Sequence, residues 1–134
     1  MKLNIEQFIT SYFRYWDIKQ FENRWSEEDE WAIDLLDYNL VRNSPEEAWP
    51  LILELVKAAQ HKRHLSIIAA GSLEELINNH GASVIERIET EVRRNPRFAW
   101  TMLCVWPGKK DKGVYTRVKI IQEKYKKHDI ELDA

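Results

Sequence analysis

The sequence predicts an all-α fold, and three observations predict it. Apolar residues recur at three- and four-residue spacing in nearly every segment, the period of one face of a helix. Helix-start residues stand before these runs, at Asn4, Ser26, Ser44-Pro45, Ser72 and Asn95-Pro96. Only four glycines and four prolines occur in 134 residues, so little chain is left for loops, and no stretch alternates apolar and polar residues long enough to compete as a strand. These features predict about seven helices packed as consecutive antiparallel pairs, a helical bundle or a short HEAT-like superhelix, in a single domain spanning residues 1–134. A chain of this length buries one sizeable core without a metal or disulfide.

Asn4, with Gln7 three residues on, reads as the cap of a first helix. In that helix Ile5, Phe8, Ile9, Tyr12, Phe13 and Trp16 form an apolar face. Phe21 and Trp25 lead into a connector. The run Ser26-Glu27-Glu28-Asp29 then starts a second helix, with three acids where the helix dipole favours them. Trp31, Ala32, Leu35, Leu36 and Leu40 form its predicted buried stripe, and Glu30, Asp34 and Asp37 its solvent side. A third helix starts with Ser44 as cap, Pro45 at the first position and Glu47 completing a capping box. Trp49, Ile52, Leu53 and Val56 are its predicted core residues, and Pro50 lies early enough to bend the helix without breaking it.

Residues 60–64 read as a polar link and 65–70 as a short helix stopped by Gly71. The stretch from Ser72 to Phe98 reads as a helical hairpin. Ser72 and Glu75 make a capping box, Gly81 after His80 supplies a left-handed stop, and Val84, Ile85, Ile88 and Val92 stripe the second arm. Asn95-Pro96 opens a helix rich in aromatics, ended by Pro107-Gly108. After the loop 109–113, Val114, Val118, Ile121 and Tyr125 mark a last helix whose outer face carries Arg117, Lys119, Lys124, Lys126 and Lys127. The tail 128–134 is expected to fray.

The net charge of −2 conceals an asymmetry. Residues 1–60 hold six basic and twelve acidic side chains, and residues 61–134 hold fourteen and ten. Attraction between the two ends explains this, as does an acidic surface that faces a partner. Cys104, the single cysteine, cannot form an internal bridge, and its apolar neighbourhood predicts an inert thiol. No apolar run approaches membrane-spanning length and no leader pattern is visible, so the expected location is the cytoplasm.

The segments WAIDLL (31–36), PEEAWPLILELV (45–56), AAGSLEELINNHG (69–81), IERIETEVRRNPRF (85–98) and VW (105–106), in this order and spacing, resemble an uncharacterised bacterial family of small helical domains. The resemblance covers about residues 31–106 and implies a helical bacterial domain. It brings no activity and no catalytic residues with it.

Candidate chemistry is sparse. His61 and His64 stand three apart, but they flank Lys62 and Arg63 in the polar link, and a metal site needs further ligands. His80 suits a helix C-terminus, where it reaches free carbonyls. Glu86 and Glu89, with Glu74 and Glu75 of the preceding helix, form a carboxylate set for acid-base work if they face one another; pairing with Arg87, Arg93 or Arg94 is the ordinary outcome. Glycine-rich phosphate loops, HExxH, GxSxG and CxxC do not occur. Arg93, Arg94, Arg97 and the basic last helix with Tyr115 and Tyr125 suggest nucleic acid, against which stands a pI of about 6.1.

The expected function is that of a protein-binding module with neither catalytic residues nor cofactor, most concretely a bacterial immunity protein that binds and neutralises a toxin. Glu27, Glu28, Glu30, Asp34 and Asp37 are the expected partner-binding residues, steering a basic partner while exposed aromatics anchor it. A helical adaptor or scaffold is the first alternative, and a hydrolase using the Glu and His residues of 72–98 the second.

Overall fold

In a computed structural model describing residues 2–134, all regular secondary structure is helical apart from an isolated parallel bridge between His61 and Asp133. Six helices follow one another: α1 (Ile5–Glu22), α2 (27–43), α3 (Pro45–Ala58), α4 (62–94), α5 (Pro96–Leu103) and α6 (Lys112–Tyr125). The expected count of about seven falls because the segments read as separate helices within 65–94 are one bent helix.

Three local signals in α4 act differently from their sequence reading. Gly71 and Ser72 lie inside a wide π-helical stretch, Ala69–Leu73, that carries the helix onward. Ser72 is buried and donates back to the Ile68 carbonyl at 3.4 Å, so it caps nothing. Gly81 is not left-handed, since no glycine has positive φ; the kink falls on His80, at φ −137° and ψ 23°. Gly81 lies instead at a close packing contact, where a Cβ would stand 3.0 Å from a methyl of Val114 on α6.

Caps behave as expected where the residue is asparagine. Asn4 accepts from the Gln7 amide at 3.0 Å and Asn95 from the Phe98 amide at 3.1 Å. Asp111 does the same for Val114 at 3.1 Å, a cap inside the segment read as loop. The two serines depart from the capping-box reading. Ser26 turns its hydroxyl to Asp29 at 2.6 Å, and Ser44 serves α3 through its backbone carbonyl, which accepts from Glu47 and Ala48.

One contiguous core runs through all six helices. Phe8 and Tyr12 of α1, Leu36 of α2, Ile52 of α3, Ile88 of α4, Phe98 of α5 and Val118 of α6 are fully or almost fully buried in it. α4 is its spine, touching α2, α5 and α6, while α1 packs along α2 and α5 along α6. Trp49, expected in the core, is half-buried with its ring edge-on to Phe98 at 5.5 Å. His64, read as part of a polar link, is buried in the first turn of α4 with its ring stacked 4.3 Å over Phe13. The tail 128–134 is docked rather than frayed. The amides of Lys62 and Arg63, free at the start of α4, donate to the carbonyls of Asp133 and Ala134, and Ile130 and Leu132 pack against the core.

Candidate interaction surface on α2

α2 is assembled from four segments of three kinds: a 3-10 turn Glu27–Asp29, an α-turn Glu30–Ile33, a π-helical stretch Asp34–Leu40 and a last α-turn Val41–Asn43. The change of pitch decides which carboxylates reach solvent. Glu27, Glu28 and Asp34 are exposed and Glu30 is half-buried at the edge of the same face. None of the four forms an ion pair among the described residues, whereas Glu46 of α3 and Glu75 and Glu89 of α4 do. Their field is felt nearby: the Tyr15 hydroxyl is pushed above its ordinary value by burial first and then by Glu30, Tyr38 and Asp34.

Exposed aromatics share the surface. Trp25 is 58% exposed, Tyr38 59% and Trp31 36%. Trp31, expected in the buried stripe, packs edge-on with Phe8 at 6.2 Å and is only partly exposed. Arg42 covers part of Tyr38, its guanidinium 5.5 Å from the ring.

Two acids leave this face. Asp29 is fully buried and clamped by Arg14, whose Nε and Nη2 donate to its two oxygens at 2.8 and 2.6 Å. Those bonds hold the Asp29 carboxyl below its usual range, with the Ser26 hydroxyl assisting. Asp37, expected among the partner-binding residues, is only 6% exposed and does not belong to the surface. A π-turn closes i to i+5 hydrogen bonds and so takes more residues than the 3.6 of an α-turn, which rotates Asp37 inward from the line of Asp34. There it accepts from the Tyr12 hydroxyl at 3.1 and 3.2 Å. Burial pushes its pKa up to about 7, opposed by the Tyr12 bond and assisted by the charge of Glu75. Gly71, in the π-stretch of α4, makes room: a Cβ there would stand 3.1 Å from the carboxylate.

Beside the acidic face an open groove of about 810 Å³ runs between the entry to α1, the flank of α2 and the first turns of α3. Leu3, Trp31, Leu35, Leu40, Pro50 and Leu51 supply its apolar surface. Glu46 and Glu47 stand on its α3 side and Lys2 at its α1 end. The sequence did not reveal this groove, because Trp31, Leu35 and Leu40 follow the spacing of a core stripe. The signal that they exceed the core is that α2 carries a second apolar set, Ala32, Ile33, Leu36 and Val41, which is buried.

The other candidate residues are engaged separately. His80 Nε2 is bonded to the Arg42 carbonyl at 2.9 Å, so it does serve a helix C-terminus, that of α2 and not its own. Glu74 accepts from the Trp106 amide at 3.0 Å, Glu75 faces Arg42 at 3.6 Å and Glu89 is bound by Arg117 of α6 at 2.9 Å. Glu86 is exposed. These side chains therefore do not form one carboxylate pair with His80. His64 Nε2 bonds Asp17 at 3.0 Å, and burial lowers its pKa more than Asp17 raises it. His61 lies edge-on to the His64 ring at 5.2 Å, with no third ligand assembled around them among the described residues. Arg97 is structural: its Nη1 donates to the carbonyls of Lys57 and Ala59 at the end of α3, at 2.9 and 2.7 Å. Arg94 bonds Glu91, and Arg93 reaches back to the Glu89 carbonyl. Burial raises the Cys104 pKa, which disfavours its thiolate.

No helix of the described residues is long and apolar enough to cross a membrane. No curated protein and no solved structure matches the chain. A match does extend over residues 19–126, containing every segment of the resemblance drawn from the sequence, and by it the chain belongs to a family of unknown function (DUF6869).

Proposed function

We propose that the chain is a protein-binding module, most concretely an immunity protein that neutralises a toxin, a nuclease being the fitting class, by direct binding in the cytoplasm of a bacterium. The observation that supports this reading is the outer face of α2, where Glu27, Glu28, Glu30 and Asp34 make no ion pair among the described residues and stand beside the exposed rings of Trp25, Trp31 and Tyr38. Unneutralised like charge repels itself, and a basic protein surface relieves that repulsion while the rings provide desolvated anchors. Against a nuclease, the carboxylates occupy positions that substrate phosphates otherwise take. An adaptor with a different basic partner uses the same face and differs only in what it binds.

The gene beside this one is the first test. A toxin gene there whose product kills cells, and whose killing is suppressed by co-expression of this chain, supports the reading. The charge reversals E27K, E30K and D34K together are then expected to leave the fold intact by circular dichroism, slow association and flatten its dependence on ionic strength. Full protection by this variant, with unchanged association rates, removes α2 as the binding face. Absence of protection by the wild-type chain removes the immunity reading.

A further inference from the structure

Positive charge is concentrated in residues 106–127, which hold eight basic side chains and two acidic ones. Arg117 is paired with Glu89 and Lys126 with Glu123, whereas Lys109, Lys110, Lys112, Lys119, Lys124 and Lys127 are exposed and form no ion pair among the described residues. Both acids are engaged, Asp111 as the cap of α6 and Glu123 by Lys126. Lys112, Lys119 and Lys126 stand seven residues apart in helical backbone, so they share one face of α6 at intervals of about 10 Å. Trp106 lies beside that row. Gln122, one turn after Lys119, donates to the Val105 carbonyl at 2.8 Å, and Lys119, Gln122 and Lys126 line a shallow hollow together with Leu103 of α5. The next residue, Trp106, is 81% exposed, its amide tied to the Glu74 carboxylate at 3.0 Å. That bond fixes the backbone of Trp106 and leaves the indole in solvent.

We propose that this face of α6 and the loop before it bind single-stranded nucleic acid, with phosphates along Lys109, Lys110, Lys112 and Lys119 and a base stacked on Trp106. The site is separate from the acidic face of α2 and does not rest on the immunity reading. A single strand carries closely spaced negative charge and offers a planar π-face at every nucleotide, which matches a row of unpaired lysines beside a solvent-facing indole. A bilayer surface fits less well, because its binding scales with buried apolar area. Ile120, the other large apolar side chain exposed on α6, is turned about 100° around the helix from Lys119 and does not enlarge the apolar surface at Trp106. An acidic protein segment supplies charge but gives the indole nothing to stack on. The pI of about 6.1 does not oppose the proposal, since it averages two faces of opposite sign, one on α2 and one on α6.

The probes are fluorescein-labelled oligo-uridine and oligo-thymidine of about twelve nucleotides, a length within the span of one single-strand site, titrated with the full chain at several salt concentrations. Fluorescence anisotropy is expected to saturate with at least one of them, and the logarithm of the binding constant to fall against that of the salt concentration with a slope of about −2 to −3, as for three or four neutralised phosphates. K112E/K119E, shown folded by circular dichroism, is expected to weaken binding at least about tenfold and to flatten the slope. W106A is expected to weaken it about tenfold with the slope kept, the mark of lost stacking. E27K/E30K/D34K, altered only on α2, is expected to bind at least as tightly as wild type. No binding of either oligonucleotide at low salt, or affinity unchanged in K112E/K119E or in W106A, overturns the proposal. Equal affinity for a blunt duplex of the same length also overturns it, since a stacked duplex has no free base for Trp106. Tighter binding to polyglutamate or to phosphatidylserine vesicles gives the face to an acidic protein or to a membrane instead. A concentration-dependent oligomer in sedimentation that K112E/K119E and E27K/E30K/D34K each dissolve gives it to the α2 face of a second copy.

Discussion

Tyr12 and Asp37, twenty-five residues apart, meet inside the core, with the phenol donating to a carboxylate that has no cation beside it among the described residues. The pairing has a thermodynamic consequence. With its pKa raised from the ordinary value near 4 to about 7, Asp37 keeps its proton in the folded chain over a range where the unfolded chain has lost it. Its stabilising contribution is therefore complete below about pH 4 and is lost as pH rises through about 7, by at most about 4 kcal/mol in total. His64, its pKa lowered by burial, works in the opposite sense, its contribution being lost as pH falls below its ordinary range. Urea unfolding from pH 4 to 9 on wild type and Asp37→Asn separates the two. The asparagine variant is expected to lose the decline between about pH 4 and 7 and to be the more stable at pH 8; parallel curves would show that Asp37 does not titrate in this range.

Gly81 tests the packing of α6 on α4. Gly81→Ala places a methyl 3.0 Å from Val114, and is expected to destabilise by about 1 to 3 kcal/mol despite the better helix propensity of alanine. Val114→Ala in the same chain is expected to recover part of that loss, which a double-mutant cycle in urea measures. A stabilised Gly81→Ala would mean that the glycine serves the kink alone.

Arg14 and Arg24 both pair with carboxylates, in different surroundings. Asp29 is fully buried, so Arg14→Met leaves it without its main partner and is expected to cost about 3 kcal/mol. The Arg24–Glu22 pair is exposed on both sides, and Arg24→Met is expected to cost under about 1 kcal/mol. Thermal unfolding of the two variants at neutral pH makes the comparison.

Trp49 is the most direct comparison of position with residue type. Half-buried against the edge of Phe98, it is expected to cost about 2 kcal/mol on truncation to alanine. Phe98→Ala, at a fully buried site, is expected to cost about 3 to 5 kcal/mol. Equal losses would place Trp49 in the core after all.

Helical structure, most helix starts and most of the buried stripes were legible in the sequence because they are local properties. Asn4 and Asn95 cap residues three positions away, and Val84, Ile85, Ile88 and Val92 share a face by helical period alone. The endings were less legible. Gly71, Ser72 and Gly81 have the chemistry of helix stops, but the core gains more from an α4 that runs on through Gly71 and only bends at His80, which brings Leu73, Leu76, Ile85 and Ile88 into one cluster. Local propensity is worth about 1 kcal/mol per residue, and burial of several large side chains outweighs it.

The acidic surface divides in the same way. That α2 begins with acids follows from the sequence, and so does the solvent position of Glu27, Glu28 and Asp34. Which of its carboxylates would turn inward was decided by tertiary structure: Asp29 by Arg14 arriving from α1, and Asp37 by a π-turn that packs against the π-stretch of α4 at Gly71. The groove along Trp31 has the same origin. An apolar residue at helical spacing specifies that it faces apolar surroundings, whereas the space left between α2, α3 and the entry to α1 depends on how three helices of fixed length meet, and that geometry is not encoded at any one position.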